Sequence, residues 1–491
     1  MRIDEYAALD GIAIAELIAA GTVSIDEVGS AAYAAIEALN PTLGAVVETL
    51  PPDHPALVDL PLPGPLHGAP FLVKDLGPHF AGLHYEWASR LCAGLVAERD
   101  DNFGRLVKQS GVRIVGRSAT PEFSLASCGD SILHGPCRNP WDPARATYGS
   151  SGGAAAAVAA GLVPIAHASD IGGSTRGPAG WCGAVGLQPS RGRVSAGPDE
   201  AESGYGMAQS NCITRTVRDT AQFLDCVGVP QPGDPFVIPA PPAGTFREHA
   251  RGSRQRYRIG WSADPLMDAP VDPETAAAVE AVAQTLADLG HDVVHAAPTI
   301  DLEALDQVSL DIWYFQFDAW LDELGAMTGR RPGPDTLEAG TLRFYEHAKT
   351  VSFDRFLEGL SELNRAARLM GPFFAAHDVW LSPTTAQPAQ LRGAYSMDVD
   401  LPPHEFLRRE QTIAQFLVPY NAAGLPAISL PLAQHSSGLP IGIQLGAGSA
   451  CEHVLLELAA DLEQALPWRD RRPGLHVGAP RNGDADGPRL T

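Results

Sequence analysis

The sequence predicts an α/β protein: a single large domain in which helices flank both faces of a central mixed β-sheet. Short apolar runs of strand length alternate along the chain with longer segments in which apolar residues recur at helical spacing. The chain has 491 residues, 45% of them hydrophobic, which is enough to bury a large core. Charged residues make up 19% and aromatic residues 7%, as in folded rather than disordered proteins.

The first elements are predicted to be helices, followed by strands that alternate with helices. Residues 1–40 have a helical pattern, and Ser24 is a good N-cap because Glu27 follows three residues later. The apolar run 71–73 predicts a buried strand that ends at Lys74. The next predicted elements are a helix around 103–107, a strand at 112–115, an alanine-rich helix at 154–160 and a strand at 162–166.

The C-terminal part continues the alternation. A proline-rich connection at 230–246 precedes a strand at 257–261. A helix is then predicted from Pro273, after the N-cap Asp272, to a stop at Gly290. Its apolar face consists of Val279, Val282, Leu286 and Leu289. Further elements are strands at 427–432 and 441–445 and a helix carrying Leu455, Leu456, Leu458 and Leu462.

Charge and cysteine content exclude several classes of partner. The formal net charge of −23 repels phosphate backbones and anionic lipid surfaces, so no nucleic-acid or membrane partner is expected. No Cys-x-x-Cys pair occurs among seven cysteines, which argues against a disulfide framework and a zinc knuckle and favours a reducing, cytoplasmic location. Asp4 and Glu5 stand where a signal peptide would be basic, and no apolar stretch reaches the roughly 18–20 residues of a membrane span.

Two glycine-lined loops carry serines suited to nucleophilic chemistry. Ser150 lies within the glycine-serine run 149–153, and Ser174 ends the loop 170–174. Because glycine has no Cβ, neighbouring amides can converge on one point and hold an oxyanion; the candidates are Ile171, Gly172, Gly173 and Ser174. One such loop would be explained as a turn, but two loops joined by a helix and a strand favour a site. No Gly-Lys-Ser/Thr follows either loop, which excludes a phosphate-binding loop.

Lys74 is the candidate base, since none of the fifteen histidines stands in a recognisable pattern. A lysine at the end of an apolar strand loses solvation, which lowers its pKa and leaves it partly neutral. A structural ion pair with Asp75 would explain the same position. The residues alone leave both interpretations open.

The segment 145–195 resembles the signature segment of the amidase signature family. That segment runs Gly-Gly-Ser-Ser-Gly-Gly, a small-residue helix, then Asp-x-Gly-Gly-Ser-x-Arg-x-Pro-Ala. The matching residues here are Gly149 to Gly153, Asp170, Gly172, Gly173, Ser174, Arg176, Pro178 and Ala179, with Ser150 and Ser174 separated by the family's 24 residues. Residues 73–75, 120–123 and 139–141 also look like family elements. The segments 378–393, 419–432, 438–445 and 462–468 resemble the bacterial acyl-amidase branch.

The resemblance implies an amidohydrolase with a Ser–cisSer–Lys triad and an acyl-enzyme intermediate. Ser174 would be the nucleophile and Lys74 the base, with Ser150 bridging them on a cis peptide bond with Ser151. The amides of residues 171–174 would hold the oxyanion, whereas Asp170 and Arg176 would be scaffolding. Because Lys74 would have to lose its proton, activity should be neutral to alkaline. No metal or organic cofactor is implied, so activity should be indifferent to chelators.

The resemblance also suggests how the chain is organised. A catalytic domain is expected over 1–473, with an N-terminal helical part (1–65), a core that holds the triad (66–230) and a substrate-pocket part (231–473). A flexible tail would follow over 474–491. The expected partner is a small-molecule amide, and the sequence is also compatible with a homodimer.

An aromatic cluster suggests the substrate preference. Trp313, Tyr314, Phe315, Phe317 and Trp320 lie within eight residues. Trp313, Phe317 and Trp320 have the spacing of a core-facing helix, so Tyr314 and Phe315 are the better pocket candidates. Tyr148, which replaces the family's first glycine, could add a ring beside Ser150. Aromatic walls favour amides with an apolar or aromatic acyl or amine part, including cyclic or aryl amides.

Three alternatives compete with this interpretation. Ser151 fits Gly-x-Ser-x-Gly of an α/β-hydrolase esterase, but that motif must follow a strand, and Pro140 and Pro143 disfavour one here. An amidotransferase A-type subunit would carry the same triad and act in a complex. A binding protein with a degenerate site is disfavoured because all three catalytic residues are present.

Overall fold

A computed structural model describes residues 1–478 of the chain. Within them, eleven strands form one sheet in the order β1-β3-β2-β4-β6-β5-β10-β11-β9-β7-β8. The strands are β1 Val46–Thr49, β2 Pro70–Lys74, β3 Arg113–Ser118, β4 Ile165–Asp170, β5 Val185–Gln188, β6 Gln209–Thr214, β7 Arg258–Trp261, β8 Asp292–His295, β9 Val379–Pro383, β10 Ala427–Gln434 and β11 Pro440–Ala447. Both parallel and antiparallel pairs occur, so the predicted mixed sheet in a single domain is confirmed.

Helices cover the sheet and extend beyond its edges. They are α1 Ile3–Tyr6, α2 Gly11–Ala19, α3 Ile25–Leu43, α4 Asn102–Gln109, α5 Gly152–Ala159, α6 Arg176–Cys182, α7 Val217–Val227, α8 Phe246–His249, α9 Pro273–Asp288, α10 Leu302–Tyr314, α11 Phe317–Thr328, α12 Ala339–Ala348, α13 Phe353–Ala376, α14 Pro403–Ala414, α15 Val418–Ala423 and α16 Glu452–Ala465. No helix of residues 1–478 is long and apolar enough to cross a membrane.

The pairing of β2 with β4 positions the site. The two strands run parallel, with Phe71 opposite Ile165 and Leu72 opposite Ala166. Carboxyl ends of parallel neighbours meet at one edge of a sheet, so Lys74 and Asp170 end their strands on the same side. All eight residues of α5, which connects the Ser150 loop towards β4, are buried, and its small side chains allow close packing beneath the sheet edge.

Most predicted elements are found, with two instructive shifts. The Ser24 capping box is formed, since its side chain accepts from the amide of Glu27. The strand predicted at 162–166 starts later and continues to Asp170, because residues 165–170 pair with β6 along their whole length. Leu289, predicted to face the core, is the C-cap residue of α9 and is 46% exposed.

The predicted tail lies mostly outside the described residues. Of 474–491, the structure describes 474–478, and residues 479–491 lie beyond it. Within the described part, the amides of Leu475 and Val477 donate to the carbonyls of Pro140 and Ala160 at 3.1 and 3.0 Å. This part of the segment therefore packs on the body of the protein.

Candidate active site

Lys74 lies at the end of β2 with its side chain directed at two serines. Its Nζ donates to Ser150 Oγ at 2.7 Å and to Ser169 Oγ at 3.0 Å. The residue is 1% exposed. Burial lowers its pKa to about 7, although the negative charge of Asp170 acts in the opposite direction. A substantial fraction of this lysine is thus neutral near pH 7, as a base must be.

The alternative ion pair between Lys74 and Asp75 is not formed. Asp75 instead pairs with Arg117 and with His134 Nε2, which lies 2.9 Å from Asp75 Oδ2. Its carboxylate also accepts backbone amides of residues 86 and 88 at 2.8 and 3.1 Å. Asp75 is therefore saturated by other partners, and the structural explanation for Lys74 is wrong.

Ser150 sits on a cis peptide bond, one position earlier than the sequence suggested. The cis bond joins Gly149 to Ser150, so the expectation of a cis bond between Ser150 and Ser151 is corrected. Of the two serine hydroxyls in this loop, that of Ser150 contacts Lys74 Nζ. Ser151 Oγ instead contacts the backbone of Ser169, donating to its carbonyl and accepting from its amide, both at 3.3 Å.

That use of Ser151 weakens the esterase alternative. A nucleophile elbow needs a strand immediately before the serine. Strands β3 and β4 are consecutive in the described chain, and residues 119–164 between them contain none. The Ser151 hydroxyl is engaged with backbone rather than with a base. The Ser151 hydroxyl therefore joins its loop to strand β4.

Ser174 ends a loop that connects β4 to α6. We call residues 171–174 the oxyanion loop. Ser174 is partly buried, and its carbonyl accepts the amide of Ser151 at 3.2 Å, which joins the loop to the Ser150 segment. Of the four amides predicted to hold an oxyanion, that of Gly173 already donates to Asp170 Oδ1 at 2.7 Å. The role of the Ile171, Gly172 and Ser174 amides as donors to a substrate oxygen stays a prediction.

Asp170 and Arg176 form the framework of this loop, as the sequence suggested. Both side chains are fully buried, and Arg176 Nε lies 3.0 Å from Asp170 Oδ2. Burial alone would raise the pKa of Asp170, but the charge and hydrogen bonds of Arg176 hold it below its ordinary value. Arg176 also donates to Gln444 Oε1 at 2.8 Å and Asn421 Oδ1 at 2.6 Å. The loop is thereby fixed to the C-terminal half of the chain.

Comparison with known proteins identifies the family. Residues 27–456 match the family model described as Amidase. The chain belongs to the amidase family. Membership of this family makes it an amidohydrolase. Most of the chain aligns with most of the length of relatives that are named as hydrolases of amides.

Two relatives illustrate where this amidase stands. The 6-aminohexanoate-cyclic-dimer hydrolase of Paenarthrobacter ureafaciens is 35% identical over 430 residues, 84% of this chain and 86% of that protein. The acylamidase of Rhodococcus erythropolis is 31% identical over 428 residues, 84% of each chain. A solved structure of 6-aminohexanoate cyclic dimer hydrolase superposes with a TM-score of 0.89 at 34% identity, covering 96% of this chain and 99% of that one. The resemblance to the acyl-amidase branch is confirmed.

The aromatic residues of the amidase are arranged differently from the expectation of one helix face. Gln316 has φ 62°, in the left-handed region, and separates α10 from α11. Tyr314 is therefore buried, with its ring 4.2 Å from that of Phe344. Trp313, whose spacing left a core position and a pocket position equally open, is partly buried, packs against buried apolar residues and also borders the oxyanion loop: a Cβ on Gly172 would be 3.1 Å from its ring.

The other two pocket candidates also pack against aromatic rings. Phe315 is partly exposed and stacks on Phe356 with ring centroids 4.3 Å apart. Tyr148 is 2% exposed and meets Trp181 edge-on at 4.9 Å. A substrate-binding role for Tyr148, Tyr314 and Phe315 stays a prediction.

Two residues that contact Lys74 were not predicted from the sequence. Ser169 accepts from Nζ, and His167 Nδ1 accepts the Lys74 amide at 3.3 Å. Burial, with a smaller contribution from the charge of Lys74, lowers the pKa of His167 to about 3, so this imidazole is neutral. The signal was present: residues 167 and 169 are polar at alternate positions of an apolar strand, and alternate residues share one face.

One cluster in residues 1–478 has the residue types of a metal site. Asp75, Glu86 and His134 offer ligand atoms within 4.8 Å of one another. Arg117, however, donates to both carboxylates, with its Nη2 2.8 Å from Glu86. The guanidinium balances their charge, and this ion-pair network accounts for the cluster.

Proposed function

We propose that this amidase hydrolyses a carboxylic amide through Ser174, Ser150 and Lys74. The observation that carries the proposal is the 2.7 Å contact between Lys74 Nζ and Ser150 Oγ, made by a buried lysine whose pKa lies near 7. A lysine so placed can take a proton at neutral pH, and the two serine loops are joined by the bond from the Ser151 amide to the Ser174 carbonyl.

The proposed reaction has two steps, formation of an acyl-enzyme and its hydrolysis. Neutral Lys74 accepts the Ser150 hydroxyl proton while Ser150 takes that of Ser174, and Ser174 Oγ attacks the amide carbon. The resulting oxyanion is held by free amides of the oxyanion loop. The C–N bond then breaks, the proton returns through Ser150 to the leaving amine, and an acyl-enzyme remains. Water, deprotonated by the same relay, releases the carboxylic acid and restores Ser174.

The rate is expected to rise with pH through the neutral range. The active form requires neutral Lys74, and burial lowers its pKa from its ordinary value to about 7. Below that value the ammonium cannot accept a proton, so kcat/KM should fall as the pH falls and reach a plateau above about pH 8. Initial rates in overlapping buffers, with folding checked at each pH, measure this. A maximum in the acid range would contradict the role of Lys74.

The substrate is proposed to carry an apolar or aromatic acyl or amine part. Trp313 and Leu417 support this, because a Cβ on Gly172 or Gly173 would lie 3.1 or 2.4 Å from their side chains, so apolar surface borders the oxyanion loop. A related protein is named a hydrolase of 6-aminohexanoate cyclic dimer, and another an acylamidase. Cyclic and aryl amides are therefore the first candidates.

A matched panel of substrates tests this preference. We expect kcat/KM for an anilide, an alkyl amide and a cyclic bis-amide to exceed that for malonamide by about tenfold or more, since each buried methylene contributes about 0.8 kcal/mol. Trp313→Ala should reduce the difference in kcat/KM between the apolar amides and malonamide. Phe315→Ala tests whether Phe315, a predicted pocket residue, contributes to the same difference. Preference for malonamide would refute the proposal. Turnover by the purified single chain would also exclude a role that requires partner subunits.

A further inference from the structure

A buried carboxyl group on α14 lies behind the Ser150 loop, outside the proposed triad. We propose that Glu410 is a positioning residue for Ser150: as a carboxylate it holds Ser127, and with it residues 126–128, against the backbone of Gly149. The inference rests on the proposed function, because it gives the bridging serine a fixed support.

Both oxygens of Glu410 bind the same residue. Oε1 accepts the Ser127 amide at 3.0 Å, and Oε2 accepts the Ser127 hydroxyl. Glu410 is 9% exposed and Ser127 is 6% exposed. The Ser127 side chain also acts on the pKa of the Tyr148 phenol, lowering it against the larger effect of burial. Tyr148 lies two positions before Ser150.

The segment held by Glu410 forms the wall behind the cis peptide bond. A Cβ on Gly149 would lie 2.1 Å from Ala126 O, 2.3 Å from Cys128 O and 2.5 Å from Cys128 N. Real Cβ atoms do not come so close, so the backbones of 126–128 and Gly149 are in direct contact. A displacement of Ser127 is transmitted to Gly149 and from there to the Ser150 hydroxyl, which must stay 2.7 Å from Lys74 Nζ.

The way in which Glu410 holds Ser127 depends on whether its carboxyl group is ionised. The titratable groups that face it from other segments are the phenols of Tyr148, Tyr314 and Tyr395 and the thiol of Cys128, and burial raises the pKa of each, so all are neutral. The charged neighbour is Arg409, on the same helix. Burial raises the pKa of Glu410 to about 7 despite the bonds from Ser127. A protonated Oε2 would donate to the Ser127 hydroxyl instead of accepting from it, so this bond would reverse direction and lose the strength that the carboxylate charge gives it.

The slope of the acid limb distinguishes positioning by a carboxylate from simple packing. If Lys74 and Glu410 must both lose a proton, log kcat/KM of the unaltered enzyme should fall with a limiting slope of about two below pH 6. Glu410→Gln removes one ionisation, so its slope should be about one. Its kcat should fall roughly 10- to 100-fold because the support is weakened, with KM within about threefold.

Glu463→Gln is the matched control. Glu463 is a partly buried glutamate whose pKa burial also raises to about 7, and it accepts the Val217 amide at 3.3 Å on α7. Its variant should keep the slope of about two and the kcat of the unaltered enzyme. A slope of two in Glu410→Gln, or an equal change in both variants, would overturn the inference.

A second variant keeps the test valid if Glu410→Gln does not fold. Ser127→Ala leaves the carboxylate and removes the hydroxyl that binds it, so kcat should again fall roughly 10- to 100-fold at unchanged KM. Wild-type kcat in Ser127→Ala would overturn the inference. Ser174→Ala separates the two proposals: if it stays active, the proposed function fails, whereas an inactive Ser174→Ala beside an unaffected Ser127→Ala refutes only the role of Glu410.

Discussion

Replacement of Ser174 by alanine is expected to abolish amide hydrolysis. The variant keeps the loop backbone but has no atom that can attack the carbonyl or carry the acyl group. Lys74→Ala and Ser150→Ala should each lose about 10⁴-fold or more in kcat, because relay and nucleophile act as one unit. For the same reason the double variant Lys74→Ala/Ser174→Ala should be no slower than Ser174→Ala. Steady-state rates and intact-mass detection of the acyl-enzyme measure these effects.

Ser151→Ala is the control for this series. Its hydroxyl bonds only the backbone of Ser169, so its loss should cost about tenfold or less in rate. An acyl adduct should form on the unaltered enzyme and be absent from Ser174→Ala. An active Ser174→Ala beside an inactive Ser151→Ala would instead establish an esterase-like elbow mechanism.

Asp170→Asn is expected to have the largest effect on stability. The substitution keeps the shape of the side chain but leaves the fully buried Arg176 without its counter-charge. Breaking a buried pair from one side costs about 3–5 kcal/mol of unfolding free energy. The amides of Gly173 and Thr175 also lose a carboxylate acceptor, so activity should fall as well. Urea denaturation with matched rate measurements tests both effects.

Asp219→Asn is the matched control for Asp170→Asn. Asp219 is also fully buried and accepts two amides, those of Gly11 at 2.6 Å and Ile12 at 3.0 Å. Burial and the charge of Asp10 raise the pKa of Asp219, whereas the pKa of Asp170 is lowered, so less stability depends on the charge of Asp219. Its replacement should therefore cost only about 1 kcal/mol. Equal destabilisation of the two variants would show that the charge of Asp170 contributes little.

The features of the fold and of the candidate site that depend on local pattern could be predicted from the sequence. The apolar run before Lys74 predicts a buried strand, because consecutive apolar residues need two covered faces. Ser24 was identifiable as a cap because the reciprocal partner, Glu27, lies within one helical turn. Ser150 and Ser174 were identifiable only through their family spacing, since glycine loops alone also describe turns.

Other features depended on contacts distant in sequence. Asp75 pairs with Arg117, 42 residues away, so adjacency to Lys74 was no guide to its partner. Helical spacing left a core and a pocket position open for Trp313, and that spacing does not continue past Gln316, which adopts a left-handed conformation. The buried cluster around Glu410 joins residues 283 positions apart, and no local pattern indicates it.

The proposed catalytic residues and the apolar residues that border the oxyanion loop come from different parts of the chain, and this has an evolutionary consequence. Lys74, Ser150 and Ser174 all come from the first 180 residues, whereas Trp313 and Leu417, which border the oxyanion loop, come from the later part. Recombination between related genes downstream of α6 could therefore exchange selectivity while retaining the reaction. Arg176 limits this exchange, because its side chain donates hydrogen bonds to Asn421 and Gln444 in the later part of the chain. A functional recombinant must therefore keep these two amide side chains in its C-terminal part. Only genes that encode both residues can exchange this part and still support Arg176.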